Sequence, residues 1–109
     1  MKLLISIFLL SITLFASNIQ KPTVSYTASG AVVDLIINDD KLYASTNASI
    51  VDVFNIKTHK LIDKIKVSKI TNFLGEITDS RIYSIDIIGK EILILSLGKG
   101  GARRIHLYK

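Results

Sequence analysis

The chain has no cysteine and no tryptophan, a single proline, two histidines and no methionine beyond Met1. Without cysteine there is no disulfide framework, no thiolate nucleophile and no C-x-x-C-H site for covalent haem, and no lipid-bearing cysteine follows the apolar N-terminus. His59 and His106 stand alone, with no carboxylate at metal-ligand spacing, so no zinc or iron site is legible. No G-x-S-x-G nucleophile elbow accompanies the serines. Gly98-Lys99-Gly100-Gly101 lacks the Ser or Thr and the following helix that a phosphate loop needs, and reads as a hairpin loop of residues at positive φ. Asn47-Ala48-Ser49 matches a glycosylation sequon and reads as a turn. The basic excess, +5, is spread along the chain without interleaved stacking aromatics or a groove-reading helix, which argues against nucleic acid and for an acidic partner.

What is present begins with an export signal. Met1-Lys2 is a short positive segment, and Leu3 to Phe15 is an apolar run broken only by Ser6, Ser11 and Thr13. About 13 residues fall short of the roughly 20 that span a bilayer, so residues 1–16 read as a signal peptide cleaved after Ala16 rather than an anchor. The chain is then expected in the periplasm, meeting the membrane only during export. Removing the signal lowers the formal charge to about +4 and leaves about 93 residues, enough for one small domain.

Residues 17–30 form a polar lead-in carrying Pro22. Beyond it the text reads twice. Val33 to Ile37, Lys41 to Thr46 and Ile50 to Phe54 return as Ile85 to Ile88, Glu91 to Ser96 and Arg104 to Tyr108, displaced by about 50 residues with a drift that follows loop length. Leu42 aligns with Ile92, Phe54 with Tyr108, and Asp34 with Asp86. A period of several short strands over roughly 40–50 residues is the pattern of β-propeller blades. The expected fold is all-β, a WD40-like propeller fragment. Residues 31–67 make one complete four-stranded blade, 68–80 a connector, and 81–109 most of a second blade. Leu61 to Val67 would also place Leu61, Ile62 and Ile65 on one helical face, but its β-branched residues favour a strand, with Lys64 and Lys66 guarding an outer edge. Blades hide their faces only against one another, so an exposed patch including Leu35, Ile37, Ile87, Leu93 and Leu95 is expected to promote self-association.

Two sets of residues stand out as candidates. Asp34 and Asp86, each inside an apolar strand, need hydrogen-bond donors and are expected to be structural carboxylates bonding a neighbouring strand's backbone; an acidic channel lining is the functional alternative. Propeller geometry would gather the strand 2–3 loops and the connector on one face, presenting Lys69, Lys99, Arg103 and Arg104 around a buried Phe73. Such a face suits docking onto an acidic protein, and ordinary solvation of loop cations is the competing account.

The runs Tyr26 to Asp34, Leu42 to Thr46, Val51 to Thr58, Lys69-Ile70, Ile82 to Asp86 and Gly98 to Gly101 resemble NapL-type proteins, periplasmic WD40-like accessory proteins of periplasmic nitrate reductase systems. The resemblance covers nearly all of the chain after the signal. It implies export, a propeller, no catalysis and no cofactor of its own, and contact with the periplasmic nitrate reductase or its maturation components. Family members are much longer, which makes this chain a truncated version of the pattern. The alternatives are a ligand- or cofactor-binding propeller of the cytochrome-type family acting in electron transfer, and a gene fragment without function.

The export reading is checked by the intact mass of the chain recovered from the periplasm, which should correspond to an N-terminus at Ser17. A membrane-retained product beginning at Met1 would establish the anchor instead.

Overall fold

A computed structural model describes residues 20–109. The signal peptide and its cleavage site lie outside the described residues. The described chain is all-β and antiparallel, with nine strands: β1 Val32–Asn38, β2 Lys41–Thr46, β3 Ile50–Asn55, β4 Lys60–Lys66, β5 Ile70–Thr71, β6 Ile77–Thr78, β7 Ile82–Ile88, β8 Glu91–Leu97 and β9 Arg103–Tyr108. They form a four-stranded sheet in the order β1-β2-β3-β4, a two-stranded β5-β6 ribbon and a three-stranded sheet in the order β7-β8-β9. Leu61 to Lys66 is strand, so the helical alternative is excluded. The 68–80 connector is more than a link: it contains the β5-β6 hairpin. Asn72 holds that hairpin's tip by accepting the Leu74 and Glu76 N–H groups on its Oδ1. Paired Ile-Thr dipeptides two residues long are too short to stand out from their polar surroundings in the sequence.

Turn chemistry sets the hairpins. Asp39 and Gly89 open the β1-β2 and β7-β8 turns at φ 54° and 61°, the left-handed region that Gly and Asp tolerate best. Asn55 builds an Asx turn into β4, accepting the Lys57 and Thr58 N–H groups. The Gly98 to Gly101 loop is a single 3-10 turn with Gly100 and Gly101 at φ 67° and 80°, as a hairpin loop of this composition requires.

The two large sheets repeat each other in detail. Both β1 and β7 carry a register shift near the start of the strand, between Val32 and Asp34 and between Ile82 and Ser84. The Asn47 N–H donates to the Ala31 carbonyl and the Leu97 N–H to the Arg81 carbonyl, the second bond repeating the first 50 positions further on. Leu42 faces Phe54 as Ile92 faces Tyr108, so those two equivalences hold. The pairing of Asp34 with Asp86 does not. Ser84 takes the place of Asp34 beside the bulge, and Asp86 takes the place of Ile36. The short similarity Val-Asp-Leu-Ile to Ile-Asp-Ile-Ile slid the alignment by one pleat, which preserves the strand face and so leaves the hydrophobic pattern undisturbed.

Alternation gives each sheet two apolar faces. One face of the first sheet, with Tyr43, Val51 and Val53, packs against the face of the second that carries Ile82, Ile85 and Ile94, with Val67 closing the same core. The contact lies where β7 meets β1 and β2. Because the sheets are stacked in the same sense, equivalent residues have opposite fates. Leu35 is 57% exposed while its counterpart Ile85 is 6% exposed. Val51 is fully buried while its counterpart Ile105 is 72% exposed. The expected exposed patch therefore divides: Leu35 and Ile37 are open on one face, while Leu93 and Leu95 lie on another beside Ile105 and Leu107, which the expectation did not name and which are exposed. Ile87, Leu93 and Leu95 are half-buried, and Ile87 packs on the core.

Asp34 is the polar pin of this interface, accepting the Ile85 N–H on Oδ2 at 3.1 Å and the Leu35 N–H on Oδ1 at 2.9 Å. Asp86 is exposed and binds only its neighbour's Ile87 N–H. The expected role as a carboxylate bonding an adjacent strand's backbone thus belongs to Asp34 alone. Asp34→Ala leaves the buried Ile85 N–H without its acceptor and should cost about 1–3 kcal/mol in urea unfolding, whereas Asp86→Ala should stay within about 0.5 kcal/mol of the parent. Equal losses would show that the two carboxylates share one role.

Candidate functional site

The junction between the sheets is organised by Ser49, the last residue of the Asn47-Ala48-Ser49 turn, whose bonding role was not legible from its position in that turn. Ser49 takes φ 63° in the β2-β3 turn and is buried. Its hydroxyl accepts the Ser80 N–H at 2.7 Å and donates to Asp79 Oδ1 at 3.2 Å, and its carbonyl accepts the Val67 N–H. The chain leaving β4 and the chain entering β7 are thereby tied to one turn. Ser80 extends the tie by donating from Oγ to the Leu97 carbonyl at 2.7 Å. A cavity of about 320 Å³ lies beside this turn, lined by Ala48, Ile50, Val67, Lys69 and Asp79.

The predicted cationic face is built at this end of the sheets, but its members are not alike. Lys69 reaches Asp79 at 3.5 Å, both side chains well exposed, so its charge is locally balanced. Arg104 turns toward the connector, donating from Nη2 to the Ser68 carbonyl at 2.7 Å, and its Nε is buried without a partner. It clamps the connector onto β9 and is not offered to solvent as a docking group. Phe73 corrects the expectation of a buried aromatic: at the tip of the β5-β6 hairpin it is 96% exposed. Asn72 draws the tip backbone onto itself, which leaves Phe73 no neighbour to pack on.

Arg103 lies on the opposite face of β9 from Arg104, and there it meets residues that sequence reasoning missed. Its guanidinium stands 4.1 Å from the centre of the Tyr83 ring, and that of Arg81 approaches the same ring at 5.8 Å. Two cations thus approach one aromatic ring, and Arg103 is held further by donating from Nη1 to the Gly101 carbonyl at 3.2 Å. Lys99 follows in the adjoining turn, exposed. Among the described residues no carboxylate lies within 4 Å of Arg81, Lys99 or Arg103. The signal for Arg81 and Tyr83 lay in the bulge: the extra residue in β7 rotates Tyr83 toward the end of β9, which no strict alternation predicts.

Further polar groups separate the two copies. Asp52 in β3 is buried and accepts both the N–H and the hydroxyl of Ser29, at 2.6 and 2.7 Å. With Tyr26 edge-on to Phe54 at 5.1 Å, this fastens the Tyr26 to Ser29 part of the lead-in over one side of the first sheet. The register that sets Ala44 opposite Asp52 sets Ile94 opposite His106, so a histidine holds the equivalent place in the second sheet. His106 Nε2 shares a hydrogen bond of 3.2 Å with the Ser96 hydroxyl.

A second cavity, also about 320 Å³, opens at the far end between the sheets, where Asp39, Lys41, Asp63, Lys90 and Lys109 surround apolar walls from Tyr43, Ile87 and Ile92. No group of three or more metal-ligating side chains occurs among the described residues. Comparisons with protein-family models, curated proteins and solved structures give no match to this chain.

Burial and the nearby Arg104 charge both lower the His106 pKa from 6.5. A base held below its unfolded value is protonated first in the unfolded chain. Its contribution is therefore intact above about pH 6.5 and is lost as pH falls through the lowered folded value. Chemical denaturation at pH 7.5 and 5.5 should show a smaller pH-dependent loss for His106→Gln than for the parent. An unchanged loss would place the proton uptake on other groups.

Proposed function

We propose that the chain is a non-enzymatic, exported accessory protein of the WD40-like propeller type, and that it docks on an acidic protein surface through the end that carries Arg81, Tyr83, Lys99 and Arg103. The observation that carries the docking reading is the pair of arginines stacked on Tyr83 without a carboxylate partner. A guanidinium already positioned, as Arg103 is by the Tyr83 ring and the Gly101 carbonyl, meets the carboxylates of a partner with little further loss of side-chain freedom. The exposed Phe73 at the connector tip supplies an aromatic anchor of the sort that interface centres favour. The propeller reading is supported by the stacking of equivalent sheets in one sense and by the first strand of the second sheet lying closest to the preceding sheet. The resemblance to NapL-type proteins proposes the periplasm as the compartment, and the periplasmic nitrate reductase or its maturation components as partners.

The test is charge reversal. Arg81→Glu, Lys99→Glu and Arg103→Glu together should weaken binding to the periplasmic nitrate reductase several-fold and flatten its salt dependence, because steering between opposite charges is screened over roughly 8–10 Å at ordinary ionic strength. Lys64→Glu with Lys66→Glu, on the outer edge strand, should leave binding near the parent value. Binding is followed by titration calorimetry at two salt concentrations. Equal losses from both sets would overturn the assignment of the face, and no binding by the parent would remove this partner.

A further inference from the structure

The sheet formed by β7, β8 and β9 has one face inside the molecule and one outside. The inside face packs on the first sheet through Ile82, Ile85 and Ile94. The outside face presents Leu93, Leu95, Ile105 and Leu107, paired across β8 and β9 as Leu93 with Leu107 and Leu95 with Ile105. Ile105 and Leu107 are 72% and 53% exposed. Their counterparts in the first sheet are Val51 and Val53, which are 0% and 3% exposed because the second sheet covers them. The outer face of the second sheet is thus a second edition of a face that, in this same molecule, already receives a sheet.

The kind of surface that fits it is also in the molecule. What covers Val51 and Val53 is a face led by Ile85, and the residue equivalent to Ile85 is Leu35. Leu35 and Ile37 stand 57% and 64% exposed on the outer face of the first sheet. The lead-in covers only the β3 side of that face, through Tyr26 on Phe54 and Ser29 on Asp52, and leaves the β1 side open. The β1 side is the one that matters, since its equivalent β7 makes the contact between sheets within the chain.

We propose that the open face of the β7-β9 sheet receives the β1 side of the β1-β4 sheet from a second copy of this chain. The packing that joins the sheets within one molecule is repeated head-to-tail between molecules. The two surfaces are different, so the contact is heterologous and continues until a ring closes or a filament forms. Apolar side chains that are exposed at both ends become buried at each new contact, which supplies the driving force.

A heterologous contact makes a mixing experiment decisive. The chain is expressed from its whole reading frame, purified as the cell processes it, and followed by sedimentation velocity over a hundredfold concentration range. The parent should gain mass with concentration. Ile105→Glu blocks one end and Leu35→Glu the other, and both positions are exposed enough to keep the β-sheet circular dichroism of the parent; Leu107→Lys and Ile37→Lys repeat the test at neighbouring sites. Each variant alone should stay monomeric at concentrations at least tenfold above those at which the parent associates. An equimolar mixture of Ile105→Glu and Leu35→Glu should double in mass and stop there, because one intact end of each remains. A monomeric parent would overturn the proposal and leave the open faces to further repeats of a longer chain. Association of Leu35→Glu alone would mean a symmetric contact between β7-β9 faces, and association of both variants alone would mean non-specific aggregation; either overturns it.

Discussion

A single antiparallel sheet with apolar residues on both faces cannot keep both from water, and this one constraint organises the molecule. The first sheet solves half of the problem by laying Tyr43, Val51 and Val53 against Ile82, Ile85 and Ile94 of the second. Everything between the sheets serves that contact. Asp34 crosses it to a backbone N–H of β7, and Ser49 gathers the ends of the connector so that the second sheet arrives over the first. Burial supplies the larger energy, but it is non-directional. The hydrogen bonds set where along the strands the sheets stop.

The lead-in shows the same constraint acting at the far side of the first sheet. Tyr26 and Ser29 come from a segment without regular structure, yet one covers Phe54 and the other satisfies the buried carboxylate of Asp52. A fully buried carboxylate without donors would be costly, so the lead-in and β3 are coupled: each makes the other tenable. In the second sheet the corresponding position holds His106, whose partner Ser96 lies within the sheet itself. The two copies share a backbone plan and differ in the polar chemistry at its margins. The charged end of the molecule follows from those margins too, because the β7 bulge turns Tyr83 beneath Arg81 and Arg103.

Strand positions were legible because they depend on short-range pattern. Alternating branched residues, Asp39 and Gly89 at the hairpin turns, and Asn55 before β4 each act within a few residues, and β2 lies at the bounds Lys41 to Thr46 that the pattern predicts. Lys69, Lys99, Arg103 and Arg104 were legible as a basic group near the loops. Their separation into a paired lysine, a buried clamp and an exposed stack was not, since the partners Asp79, Tyr83 and Ser68 of Lys69, Arg103 and Arg104 lie 10, 20 and 36 residues away and are brought in by other elements. Phe73 was misread as buried because aromatic character alone says nothing of what a hairpin tip has to pack against.

The sequence by itself determined the antiparallel strands, their turns and the doubling of the pattern, all properties of local propensity and period that survive whatever the chain packs on. Tertiary structure alone decided which of two equivalent residues is buried. Leu35 and Ile85 are similar side chains at equivalent places, yet one faces water and the other the core, because a sheet is present on only one side of each. It also decided that Asp34 is a pin and Asp86 is not. A slide of two residues keeps the same strand face and is silent in the hydrophobic pattern, so only the cross-strand register, fixed by the bulge and by the neighbouring sheet, distinguishes them.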